Sequence, residues 1–414
     1  MIEILVKALV LMGGVLGAAA YLVLVERRVA AWIQDRIGPN RVGIPLTSIR
    51  LFGLGQPVAD GLKLILKEDY TPAHVDKRLF TIAPLIIFVG ALAAFAVVPL
   101  GSVLPSQLFG WQLSGRPIEL VVIPGVDVAM IYVFALSSVG IYGVILGGWA
   151  SNNKYSFLGG LRSSAQLIAY ELPSSLGILG VAVATGSLNL QEVILAQARS
   201  GWFALLQPLG LVVFAIAAFA EAARLPFDLP ECEQELVGGY HTEYSGMKMM
   251  MFLTSEFLHM ILAALLLVVL FLGGWHFPWL TGTERLVDGW GLPGGGWVWL
   301  QAILRVAVLL TKVLLVILFF MLVRWTWPRF RYDQLMALAW KVMLPLGLVN
   351  LVAVATLEQL KMDGGWEAKW NWLFAGLAWV IFAVAWALVA LADPARCDNR
   401  PRRRTRATGA ATPS

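Results

Sequence analysis

The sequence predicts an all-α polytopic membrane protein. Of its 414 residues, 59% are hydrophobic and only 14% charged, where a soluble domain carries roughly 25% charged residues. Apolar runs of about 20 residues, enough to cross a hydrocarbon core, recur along the whole length. These runs are continuous. The strands of a membrane barrel would instead alternate apolar and polar residues over about 10 positions, so a barrel is excluded.

Nine spans are expected, at about 4–25, 79–100, 127–149, 161–185, 203–222, 249–273, 302–323, 338–357 and 371–392. No basic run and no cleavage site mark the first as a removable signal, so it is expected to stay as a helix. Positive residues orient the set. With the N-terminus outside, the first inside loop holds Arg27, Arg28, Arg36, Arg41, Arg50, Lys63, Lys67, Lys77 and Arg78. Later inside segments add Lys154, Arg162, Arg224, Lys248, Arg324, Arg329, Arg331 and Lys341. The outside loops hold Arg116, Arg199, Arg285, Lys361 and Lys369. The net charge of +5 therefore reflects topology and membrane contact, and no nucleic-acid partner is expected.

The ninth span follows a turn at Asp363-Gly364-Gly365 and the tryptophans Trp366, Trp370 and Trp372, which suit an interfacial belt. It returns the arginine-rich tail to the basic side. The chain thus divides into a membrane domain at 1–357, an extra C-terminal transmembrane segment at 358–392 and a basic tail at 393–414, whose composition predicts disorder. In the first inside loop, Val58, Leu62, Ile65 and Leu66 recur at helical spacing opposite Asp60, Lys63 and Lys67. This predicts a short amphipathic helix lying in the interface or roofing a cavity.

Acidic residues carry the chemistry. Of 26 in the chain, six fall in 221–248: Glu221, Asp228, Glu231, Glu233, Glu235 and Glu243. Glu256 follows two turns into the sixth span, Glu171 sits near the middle of the fourth, and Glu26 ends the first beside Arg27 and Arg28. Carboxylates at such depth are costly unless they meet water, a cation or a partner. Burial also moves them toward neutrality, which suits a proton carrier. Glu221 and Arg224, three apart, are expected to pair on one helical face. Pro173 and Pro226 are expected to interrupt helical hydrogen bonding nearby. Cys232 and Cys397 lack metal-ligand spacing, and His74, His241, His259 and His276 form no haem pair, so no cofactor is expected on this chain. These residues alone fit a proton-pump subunit, an antiporter or a proton-coupled transporter.

Longer motifs narrow the choice. The loop 221–248, Glu26-Arg-Arg-Val, Asp35-Arg-Ile-Gly-Pro-Asn-Arg-Val-Gly43, Gln56-Pro-Val-Ala-Asp-Gly-Leu-Lys63, Gly148-Trp-Ala-Ser-Asn-Asn-Lys-Tyr155 and Tyr170-Glu171 together resemble, in order, the family of quinone-site membrane subunits of respiratory complex I. The resemblance covers about residues 1 to 357. It implies an eight-helix core forming the membrane wall of a quinone tunnel, in a proton-translocating NADH-quinone oxidoreductase of the bacterial inner membrane. By residue, it places Glu171, Glu221 and Glu256 among the intramembrane acids of the proton path, with Glu231, Glu233, Glu235 and Glu243 in its acidic loop. It places Glu26, Arg27, Asp60, Arg224, Phe227 and Asp228 at the quinone cavity. Quinone is the implied substrate. FMN and iron–sulfur clusters are expected only in partner subunits, and the implied partners are the other membrane subunits, the peripheral arm and lipid. The equivalent subunit of a membrane-bound hydrogenase-type complex is the alternative within the superfamily; a free-standing transporter is weakened by the lack of an internal repeat.

Three departures stand out. Where the family loop usually opens Glu-Thr-Asn-Arg, this chain reads Glu221-Ala-Ala-Arg224, so a local hydrogen bond is expected to be lost or taken by water. Phe257 follows the buried acid where tyrosine is common, so a phenolic hydroxyl is expected to be missing. The ninth span and tail have no counterpart in the eight-helix pattern.

Overall fold

The computed structural model describes residues 2–43, 52–104, 107–108, 111–112, 118–228, 236–278, 280–281, 295–363 and 371–391. The chain is helical as predicted. Helix α1 (Ile2–Ile33) is followed by α2 (Gln56–Leu66), α3 (Lys77–Ala94), α4 (Ala129–Ala150) and α5 (Lys154–Thr185). Next come α6 (Leu190–Ser200), α7 (Phe203–Leu206), α8 (Pro208–Glu221) and α9 (Gly246–Phe271). The C-terminal part holds α10 (Gly295–Thr326), α11 (Tyr332–Ala337), α12 (Leu344–Asp363) and α13 (Asn371–Leu391). Eight of the described helices are long and apolar enough to cross a membrane, and α8 is a shorter apolar helix. Every predicted span falls on one of these nine.

Helix α9 is the centre of the bundle. In its apolar window 83% of residues are buried, against 11% for Trp372–Leu391 in α13. The main core gathers around it, with Phe214, Phe271, Leu258, Leu270 and Val268 shielded from solvent. A smaller cluster of Phe80, Ile87, Val144, Tyr240, Tyr244 and Phe252 packs where α3, α4 and the segment before α9 meet. Small residues let helices approach there: a Cβ on Gly143 would lie 2.3 Å from Ile87 Cγ1 and 2.9 Å from the Ala83 carbonyl.

Local chemistry sets the helix ends. The Asp76 carboxylate accepts from the Arg78 and Leu79 amides to start α3, and the Asn153 side chain accepts from the Tyr155 amide to start α5. Helix α5 ends at Gly186 in the left-handed region. The predicted amphipathic helix is present as α2, with Pro57 in its first turn and no buried residue. Its Val58, Leu62 and Ile65 stay largely exposed.

Three features differ from expectation. The span predicted at 203–222 is broken at Gln207, because Pro208 lacks an N–H and drives the preceding residue out of the α region. The stretch Leu338–Met343 is π-helical just ahead of Pro345. A proline ring clashes with the carbonyl four residues back, and the wider turn relieves that clash. Residues 190–200, expected as loop, form α6, capped by Asn189 and burying Leu190, Val193, Ile194 and Gln197.

Two cations inside α10 tie segments together without having stood out by sequence. Lys312 Nζ donates to the carbonyls of Leu272 (2.6 Å), Gly274 (3.1 Å) and His276 (2.6 Å), closing the C-terminal end of α9. Arg305 donates to the Thr281 carbonyl (2.9 Å) and Ser102 Oγ (2.8 Å), with its guanidinium 4.4 Å from the Trp275 ring centroid. The predicted basic tail, Trp366, Trp370 and the acids Glu231, Glu233 and Glu235 lie outside the described residues.

Candidate functional site

The site is built where α1, α4, α5, α8, α9 and α10 converge. Helix α8 ends at Glu221, and the chain then turns sharply, with Ala223 at φ 49°. That turn carries Arg224 off the helix. The expected Glu221–Arg224 pair across one helical face therefore gives way to another arrangement. Arg224 lies 3.3 Å from Glu256 Oε2 on α9 and 3.9 Å from Glu26 Oε2 on α1. Its guanidinium also stands 4.3 Å from the Phe257 ring centroid. Arg324, near the end of α10, donates to Glu26 Oε1. All four charged groups are mostly buried, with side-chain exposures from 9% for Glu256 to 19% for Arg324. Charges taken out of water need such partners.

The left-handed turn also gives the Glu-Ala-Ala-Arg departure a physical meaning. Asparagine adopts this conformation readily, whereas for alanine it costs about 1 kcal/mol.

Glu221 and Glu171 take a different kind of partner. The adjacent hydroxyls Ser137 and Ser138 of α4 donate to Glu221 and Glu171 respectively. Glu171, Glu221 and Glu256 line one cavity of about 50 Å³, together with Ser163, Tyr240, Ser255 and His259. A water needs roughly 10–15 Å³ on this measure, so the cavity has room for a few. The phenolic hydroxyl expected to be missing because of Phe257 is present from another element: Tyr240 donates to Glu256 Oε1 at 3.2 Å. Ser137 and Ser138 are site residues that sequence reasoning missed, although two successive hydroxyls inside an apolar span are a visible signal. Arg324, by sequence only one of the charges that orient the spans, is a member of the cluster.

The remaining candidates lie outside the cavity. Arg27 donates to Asp60 of α2 at 2.7 Å, and Gln56 Nε2 donates to the same carboxylate at 2.9 Å. Asp228 is buried, with Arg329 Nη2 3.6 Å away. The Phe227 ring is stacked on Phe330 and close to Tyr170, and its carbonyl accepts from the buried Gln166. Glu243 accepts from Asn153 Nδ2 at 2.6 Å and does not line the cavity. Beside it Tyr244 is stacked on Phe80, and burial pushes its phenol above the ordinary value.

Fold and site define a polytopic helical membrane protein whose deep carboxylates share a cavity with room for a few waters beside a buried ion-pair cluster. The family model for NADH dehydrogenase matches residues 6–355. The chain is 45% identical to an NADH-quinone oxidoreductase subunit of the H type from Geobacter metallireducens over 347 residues, covering 84% of this chain and 94% of that protein. It is 45% identical to the H-type subunit of Thermomicrobium roseum, covering 83% and 92%, and 44% identical to that of Syntrophotalea carbinolica, covering 86% and 96%. The chain belongs to the NADH dehydrogenase family. Helix α13 begins beyond the last residue the family model matches.

Proposed function

We propose that this chain is the membrane subunit of a proton-pumping NADH:quinone oxidoreductase, supplying the membrane wall of the quinone tunnel and the start of the proton path. One observation carries the reading. Arg224 bridges Glu26 to Glu256, and Glu256 shares its cavity with Glu171 and Glu221. This joins a charged cluster to carboxylates that share a cavity in the bundle, which supports a proton path between them.

Reduction of quinone to quinol takes two electrons and two protons. The electrons come from FMN and iron–sulfur clusters in partner subunits of the peripheral arm. On this chain, Asp60, Arg27, Glu26, Arg224, Phe227 and Asp228 border the quinone cavity, and α2 covers it. A charge change there alters the pull of Arg224 on Glu256, since buried acids respond strongly to neighbouring charge. Glu256, Glu171 and Glu221 then pass protons through the cavity they share. Glu243 and the acids Glu231, Glu233 and Glu235 belong to the loop leading to the peripheral arm. The unit at 1–357 performs this role, and 358–392 with the tail 393–414 is an addition to it. The setting is a bacterial inner membrane, with the N-terminus outside and the acidic loop and tail in the cytoplasm. Other membrane subunits and lipid surround it.

Glu171→Gln and Glu256→Gln test the reading in membrane vesicles containing the assembled complex. Each is expected to lower proton pumping and quinone reductase turnover together, by about tenfold or more, at normal assembly. Unchanged coupled turnover in both variants refutes the proton path.

A further inference from the structure

We propose that Tyr240 is a positioning residue for Glu256, through which the segment before α9 controls the cavity. The two carboxylate oxygens of Glu256 are held from opposite sides. Arg224 Nη2 faces Oε2 at 3.3 Å, and the Tyr240 hydroxyl donates to Oε1 at 3.2 Å. Tyr240 and Glu256 are both buried, and both line the cavity shared with Glu171 and Glu221. A phenol has one proton to donate and lone pairs left to accept another. While bound to Glu256 it can therefore take a hydrogen bond from a cavity water.

The hydroxyl is delivered from outside the spanning helices. Tyr240 sits in the turn Gly239–His241, and its ring is clamped edge-on by Phe252 at 5.3 Å and by His241 at 5.1 Å. The turn is pressed against α5. A Cβ at Gly159 would lie 2.7 Å from Gly239 Cα, and Gly239 itself has φ 65°. Only glycines allow that approach. Movement of the turn Gly239–His241 would thus withdraw the hydroxyl from Glu256.

The inference rests on Glu256 serving in the proton path, so Tyr240→Phe, Glu256→Gln and the double variant are measured together. The assay is the whole complex in proteoliposomes with a short-chain quinone. Phenylalanine keeps the ring and its packing, so a merely structural tyrosine would leave the kinetics alone. The expected result for Tyr240→Phe is a fall in kcat of about tenfold, the worth of one hydrogen bond to a charged group, at unchanged KM and normal assembly. The double variant is expected to match Glu256→Gln alone. A Tyr240→Phe kcat within twofold of the parent overturns the proposal, as does a double variant slower than Glu256→Gln. If Glu256→Gln is slow while Tyr240→Phe is parent-like, only the tyrosine's role fails. If both are parent-like, the proton-path reading of Glu256 fails with it.

Discussion

Two polar clusters are buried in this bundle, one along the first half of α9 and one at its C-terminal end, and they are built on opposite plans. In the first half Glu256 meets Arg224 and Tyr240 and opens onto a cavity shared with two further acids. Near the C-terminal end Lys312 commits three donors to three backbone carbonyls and packs over the Trp202 ring, while Arg305 is held by Thr281, Ser102 and Trp275. An intramembrane charge is a functional candidate by default. The contrast shows what refines that rule. Carboxylates facing side chains and a cavity have alternative partners when a proton or neighbouring charge changes. A cation that caps carbonyls serves as a tie between segments. Positive charge is also favoured at a helix C-terminus, where unpaired carbonyls concentrate.

The largest expected effect comes from breaking the first cluster. Arg224→Ala strands Glu256 and leaves Glu26 to Arg324 alone, with an expected cost of about 3–5 kcal/mol. Both assembly on blue-native gels and quinone turnover should fall, and parent-like values for both would remove Arg224 from the centre of the cluster. Lys312→Met attacks the second cluster and separates the two plans. It should lower the amount and heat resistance of the assembled complex by about 2–3 kcal/mol, the cost of leaving buried carbonyls unpaired. Turnover per assembled complex should stay the same. A slow but fully assembled Lys312→Met complex would erase the distinction between the two clusters.

Smaller effects sharpen it. Ala223→Gly relieves the left-handed backbone at the turn that aims Arg224, and it should raise stability by about 1 kcal/mol. A longer half-life in thermal inactivation checks this; a shorter one means the turn needs the alanine's methyl. Removing residues 364–414, and with them the thinly packed α13, should change quinone turnover by less than about twofold in the assembled complex. A large loss of turnover at normal assembly would tie the addition to the chemistry.

Much of this was legible in the chain. Continuous apolar runs dictate spanning helices because an unsatisfied backbone group in hydrocarbon costs too much for any open alternative. Helix α2 followed from spacing, since its Val58, Leu62 and Ile65 must share a face. Depth alone singled out Glu171 and Glu256. What the chain hid was partnership. Arg224 looked paired with Glu221 because the two are three residues apart, and a positive φ at Ala223 redirects it to residues 198 positions before and 32 after it. Ser137 and Ser138 became site residues only when α4 closed on α5 and α8, and Tyr240 only when the turn before α9 folded back onto Glu256.

The sequence by itself determined the class of protein, the spans and which acids lie deep, because the hydrophobic effect and the cost of burying charge act on composition and period. Only the tertiary structure decided which acid meets which base, where a cavity remains, and that the acids face side chains and a cavity while Lys312 faces backbone carbonyls. Pairing energies in a low-dielectric interior depend on distances between helices, and no single helix encodes those distances.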